Sequence, residues 1–275
     1  MLAGCGGSHR AVSTTTAARP APAPRAIGVV GPLTVDVAPS VQRRVSLAEI
    51  AGSKLVLVSA RSAGPAEVAA AADAHPDAHF ALVGASVAGF RRPNLVGVVL
   101  RAEQAAWLGG VAAGLVLTDE GGSRASAAWV GPEESPLTRE FAGGVHSVAP
   151  GATVLRAVAG PKAARCKEAA LGVLARGAVV VMAHGGLCAE AAAAAAHDAA
   201  RPALQLSDFE LPSAAATTVA REALGGVYHG GEDIVFDSGS GAIGINRLDP
   251  AIPPAVAVQI GAAAQQLPKS RANAG

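Results

Sequence analysis

Residues 93–113 read PNLVGVVLRAEQAAWLGGVAA, and the pattern of apolar positions changes within them. Pro93 and Asn94 close a turn, and Leu95 to Leu100 form a short apolar run with Val at three of its six positions. From Glu103 onward the composition turns to Ala, Leu and Gln, which favour helix. A short buried run feeding directly into a longer helical one is half of a βαβ unit. Repeated, that unit builds a parallel sheet covered by helices.

Working outward, the same alternation continues in both directions. Strands are predicted over 26–30, 54–59, 80–83, 95–100, 127–130, 153–158, 178–182, 203–206 and 217–220. Helices are predicted over 65–75, 103–117, 136–148, 162–176 and 188–199. Pro65 and Pro136 fit the first turn of a helix, where a missing N–H costs nothing. Near the C-terminus residues 236–245 read as a Gly-rich turn entering a strand, with a last helix over 253–267. There is no internal repeat of solenoid length.

The chain has 275 residues, more than one hydrophobic core usually serves, so two lobes are expected. Hydrophobic residues make up 51% and aromatics only 3%, so the core is built from Ala, Val and Leu, as suits parallel strands under helices. The formal charge is +1 and no basic stripe alternates with aromatics, which argues against a nucleic-acid partner. Cys5, Cys166 and Cys188 show neither a CxxC pair nor metal-ligand spacing, so no metal and no cofactor is expected. Cys166 and Cys188 read as unpaired thiols in helices, with a disulfide between them as the alternative. No G-x-S-x-G elbow, Walker loop or HExxH occurs, which argues against an enzyme. His184, beside Gly185, is the histidine best placed at a strand end.

Leu2-Ala3-Gly4-Cys5 resembles the bacterial lipobox, in which the cysteine is acylated and becomes the mature N-terminus. The resemblance implies lipidation at Cys5 and a signal peptide whose basic and apolar regions would precede Met1. Residues up to 25 are rich in Ser, Thr, Ala and Pro and read as an extended tether. The expected location is therefore the extracytoplasmic face of a cell membrane.

Several colinear blocks resemble the basic membrane protein (BMP) group of solute-binding lipoproteins, whose members bind purine nucleosides for ABC importers. The strongest is Asn94 to Ala113, similar to that family's N-V-x-x-x-x-F-x-x-x-E-x-x-y-L-a-G-x-x-A. His75-Pro76-Asp77 before Phe80, Val130-Gly131, Phe141 with Gly143-Gly144, Gly185-Gly186, and Thr217-Thr218 with Arg221 follow in the family's order. The resemblance implies an α/β fold of periplasmic-binding type I: two Rossmann-like lobes with mostly parallel sheets, joined by three crossovers. One lobe would take 26–101 plus 216–245 and the other 102–215 plus 246–275, with residues 1–25 as anchor and tether. It also implies a small-molecule solute, an ABC permease as partner, and a monomer.

The family holds ribose with an acidic loop after its first strand. That loop is absent here, Asp36 is the only acid nearby, and the stretch before Lys54 is short, so part of the first lobe is missing or replaced. The candidate ligand residues are Asp36, Asp208 as acceptor for a polyol, Phe209 as a stacking ring, Arg221 in place of a family lysine, and the Gly185-Gly186 turn. The loss of the acidic loop supports an alternative reading, a sensor or scaffold at the membrane surface that no longer transports.

Overall fold

The computed structural model of the protein describes residues 25–38, 40–50, 52–120, 125–131, 134–160 and 162–267. Cys5 and residues 1–24 of the tether lie outside the described residues. The chain runs β1 (Arg25–Val30), β2 (Ser40–Arg44), β3 (Leu55–Ser59), α1 (Pro65–Ala74), β4 (His79–Val83) and β5 (Leu95–Leu100). It continues through α2 (Ala102–Glu120), β6 (Ser126–Gly131), α3 (Leu137–Val148), β7 (Thr153–Val158), α4 (Ala163–Ala175), β8 (Ala178–Ala183), α5 (Leu187–Asp198) and β9 (Ala203–Gln205). It closes with α6 (Pro212–Leu224), β10 (Asp233–Phe236) and α7 (Pro254–Gln266).

These strands form two sheets, one ordered β10-β5-β4-β3-β1-β2 and the other β7-β6-β8-β9. Their ladders are parallel throughout. In the first sheet β3 is buried at every position, as expected of a strand covered on both faces. One face packs against α6 through Ala215, Ala216, Val219 and Ala220, the other against α1 through Val68, Ala69 and Ala72. In the second sheet α2 and α3 cover one face and α4 and α5 the other.

The first lobe has the larger sheet, yet two of its connections show no helix among the described residues. Parallel neighbours are normally joined through a helix, yet between β1 and β2 the described residues 31–38 form none. Leu33 and Val35 are buried there, occupying the core beside Ile27 and Val29 where a helix would pack. The Gln42 side chain holds this loop to β2 by accepting the Val35 N–H and donating to the Val35 carbonyl. The described residues 45–50 and 52–54, before β3, likewise form no helix, with Ile50 filling the opposite face.

Three sequence expectations need correction. Residues 217–220 are not a strand: they lie within α6, whose buried positions 215, 216, 219 and 220 follow helical spacing. The hydroxyls of Thr217 and Thr218 donate to the carbonyls of Ser213 and Ala214 one turn back, so β-branched residues are accommodated in the helix. The strand near the C-terminus precedes the Gly-rich turn, as β10, and beyond that turn Ile243 makes only an isolated bridge to Glu210. Cys166 and Cys188 are joined in a disulfide rather than left as thiols. Their separation of 22 spans one helix-strand repeat, so the fold brings the first turns of α4 and α5 to the same end of the sheet.

Candidate functional site

In open parallel sheets ligands sit beyond the carboxyl ends of the strands, and between lobes where two such edges meet. Here the chain passes between the sheets three times, from β5 into α2, from β9 into α6, and from β10 toward α7. The three passages are bonded to one another. The Arg101 N–H donates to the Phe236 carbonyl (2.9 Å), and the Ser238 N–H donates to Gln104 Oε1 (2.9 Å). Between the second and third, Leu211 donates to Ala242 (2.8 Å), Gly244 to Phe209 (3.1 Å) and Asn246 to Asp208 (2.7 Å). Asp237, buried, accepts the N–H groups of Gly239 and Ser240 and fixes the third passage. The result is a pinned pivot with the strand ends arrayed around it.

Asp208 lies in this pivot and is 7% exposed. Its Oδ2 accepts the Gln205 N–H at 2.8 Å, closing the short 3-10 turn after β9. Burial raises its pKa above the ordinary value, opposed by the Gln205 N–H and the charges of Arg247 and Arg61, while Asp249 adds to the rise. Two residues on, Glu210 is half-buried, and burial raises its pKa against the opposing charge of Arg61. Arg61 comes from the other lobe, in the turn leaving the carboxyl end of β3. Two desolvated carboxylates thus stand at the pivot with a guanidinium acting on both.

Gly185 and Gly186 form the turn from β8 into α5, on the second lobe's carboxyl edge, with φ of 94° and 50°. A side chain is disfavoured in that conformation, so the turn leaves backbone uncovered at a helix start. His184 precedes them, its ring against Trp129 at 5.7 Å.

The structure therefore brings Asp208, Gly185 and Gly186 to the strand-end side and leaves the other three candidates elsewhere. Phe209 is fully buried in the second lobe's core, beside Gly109 and Met182, so its ring packs rather than stacks on a solute. Arg221 sits in the last turn of α6. That helix starts at the pivot and runs back to the amino ends of the strands, where Leu224 meets Ala26, Lys54 and His79, so Arg221 is remote from the cleft. Asp36 is exposed in the 31–39 loop, its N–H donating to Thr217 Oγ1 on the flank of α6 at 3.3 Å. Glu210 and Arg61 escaped the sequence reading. Their only signal is position, a charged residue within a few places of a strand's carboxyl end.

Asp249 shows how different a structural carboxylate looks. Burial raises its pKa, but the N–H groups of Ala203 and Ala251 and the ring of His197 outweigh that and leave it lowered. It clamps the segment before α7 onto β9 and α5. For Glu210 only the charge of Arg61 opposes the rise and burial outweighs it, which yields a prediction. An acid whose folded pKa is raised stabilises the fold only at low pH, and that contribution is lost as pH climbs from the ordinary value near 4.5. Glu210→Gln is therefore expected to raise stability at pH 7 by ~1 kcal/mol, the scale of burying an uncompensated polar group. In thermal melts the gain should vanish at pH 4.

Among the described residues no group of three His, Cys, Asp or Glu side chains could hold a metal ion, and no helix is long and apolar enough to cross a membrane. No protein-family model matches the chain, and no curated protein matches it by sequence. Solved structures do. An ABC transporter solute-binding protein from Conexibacter woesei DSM 14684 is 20% identical, covering 78% of this chain and 77% of its own, with a TM-score of 0.57. A transcriptional activator of the comK gene from Bacillus halodurans is 15% identical over 78% of each chain, with a TM-score of 0.57. An ABC transporter solute-binding protein from Aeropyrum pernix K1 is 18% identical, covering 90% and 83%, with a TM-score of 0.53. The chain has the fold of these proteins, the periplasmic-binding type I fold of two parallel α/β lobes joined by three crossovers.

Proposed function

We propose that the protein is the membrane-anchored solute-binding component of an ABC-type importer, working as a monomer and closing its lobes on a small polar solute. The observation that carries this reading is the placement of Asp208 and Glu210 at the pivot, desolvated, with Arg61 of the other lobe acting on both. Desolvated carboxylates are costly unless donors reach them. A solute rich in hydroxyl groups supplies such donors, which fits a sugar or the ribose of a nucleoside, the solute class of the BMP group. The likeness to two ABC transporter solute-binding proteins supports the same role. The Cys166–Cys188 disulfide suits an oxidising, extracytoplasmic compartment, in keeping with an anchor at Cys5.

The full chain, titrated calorimetrically with inosine, adenosine, ribose and glucose, is expected to bind at least one of them saturably. Asp208→Asn and Glu210→Gln should each weaken that binding at least tenfold, which for Glu210→Gln means losing affinity while gaining stability. The helix-free crossovers of the first lobe favour a second reading, a sensor without transport. Flat titrations throughout would support that reading and sink the importer role. Anchoring is tested separately by fatty-acid labelling in cells, where Cys5→Ala should abolish incorporation.

A further inference from the structure

A cavity lies on the opposite side of the first lobe from the pivot, at the amino ends of its strands. It has a volume of about 310 Å³ and is walled by Ala26 of β1, Leu55 of β3, and Ala223 and Leu224 at the end of α6. Gly52, Lys54 and His79 complete its lining. Its origin is visible in the topology: the connection from β1 to β2 supplies no helix to pack beside the end of α6.

The chemistry of the lining is divided. The walls are methyl and aliphatic groups, while Lys54 is exposed and forms no ion pair among the described residues. His79 is held in place by Tyr228, its ring stacked at 4.0 Å, and the Tyr228 hydroxyl donates in turn to the Phe80 carbonyl. Burial lowers the His79 pKa, so at neutral pH the imidazole is an uncharged hydrogen-bonding group and Lys54 carries the charge. An ammonium and a preoriented imidazole beside an apolar wall complement one carboxylate on a compact apolar body. At ~30 Å³ per water-sized unit the space takes about ten heavy atoms, near the lower end of ligand-pocket volumes.

We infer that this cavity is a binding site, separate from the interlobe cleft, for a small monocarboxylate with an aromatic or branched aliphatic body. The carboxylate pairs with Lys54 and accepts from His79, and the body lies against Leu55, Ala223 and Leu224. Occupancy would brace the end of α6, whose other end starts at the pivot.

The test uses the full chain with benzoate and its uncharged analogue benzamide, read by calorimetry. Benzoate should bind at one site, and benzamide at least tenfold more weakly. Lys54→Met should lose at least tenfold in benzoate affinity. Leu224→Trp, which fills the space, should abolish binding, with far-UV circular dichroism checking that it folds. Glu210→Gln, which alters only the cleft, should leave benzoate binding unchanged. The inference is overturned if benzoate fails to bind, if benzamide binds equally well, or if binding survives both Lys54→Met and Leu224→Trp. Loss in Glu210→Gln alone would place benzoate in the cleft and likewise overturn it.

Discussion

Gly144→Ala is expected to destabilise the protein by at least ~3 kcal/mol, the upper range for forcing extra atoms into a packed core. In α3 a Cβ at this position would lie 2.1 Å from the Trp107 carbonyl oxygen and 2.9 Å from the Val111 nitrogen of α2. Its counterpart Gly110 would place one 2.0 Å from the Phe141 carbonyl oxygen. Both obstructions are backbone, so no side-chain rotation relieves them. The helices would have to separate by ~1 Å or more to restore ordinary contact near 3.5 Å. That separation loosens Phe141 and Val145, both fully buried, and the Trp129–Phe141 ring contact at 5.6 Å. Against a typical domain stability of ~5–15 kcal/mol the loss is large. Urea unfolding measures it, with Gly172→Ala as control. Gly172 lies in α4 with nothing within 4 Å of a Cβ, so that substitution should stabilise by ~0.5–1 kcal/mol through helix propensity alone. If Gly144→Ala matches Gly172→Ala, the close crossing of α2 and α3 is wrong.

The same glycines explain what could be read from the sequence. Strands 95–100 and 153–158 were legible because each is a Val-containing run bounded by turn residues on one side and followed by a helical composition, and they form as β5 and β7 with those bounds. β2, reading Ser-Val-Gln-Arg-Arg, was not, because an edge strand exposed along its length needs no apolar run. Thr217-Thr218-Val219 misled in the other direction, since a short β-branched run fits a strand or the buried stripe of a helix equally well. Gly109, Gly110, Gly143 and Gly144 belong to the blocks that resemble the BMP group, and Gly110 and Gly144 serve the crossing of two helices. The resemblance thus reports packing more than ligand contacts. That is why the fold was readable while Phe209 and Arg221 were misplaced. Sequence order puts Phe209 next to Asp208 but does not say which way its ring turns from the crossover. That the charge of Arg61 acts on Glu210 requires knowing that two lobes meet.

Reducing the Cys166–Cys188 bond is expected to cost ~3 kcal/mol, from the loop-closure entropy restored to the unfolded chain over about 22 residues. Both cysteines are buried, at 0% and 2% exposure, so a thiol pair would fill nearly the same space and the native packing would survive largely unchanged. The loss should therefore appear as lower stability of an intact fold rather than as misfolding. Thermal melts of the full chain with and without reductant measure it. A Cys166→Ala/Cys188→Ala double variant should melt near the reduced protein and show no further response to reductant, although Cys5 remains in both. The bond also joins the first turns of α4 and α5 two residues beyond Gly186, so it restrains the Gly185-Gly186 turn that we propose faces the solute. Solute affinity should fall on reduction together with stability, because the turn would then have to be ordered on binding. Three titratable thiols in the unfolded, unreduced protein, with no shift on reduction, would show that the two sulfurs are not bonded. That result would also remove the main structural support for an extracytoplasmic location.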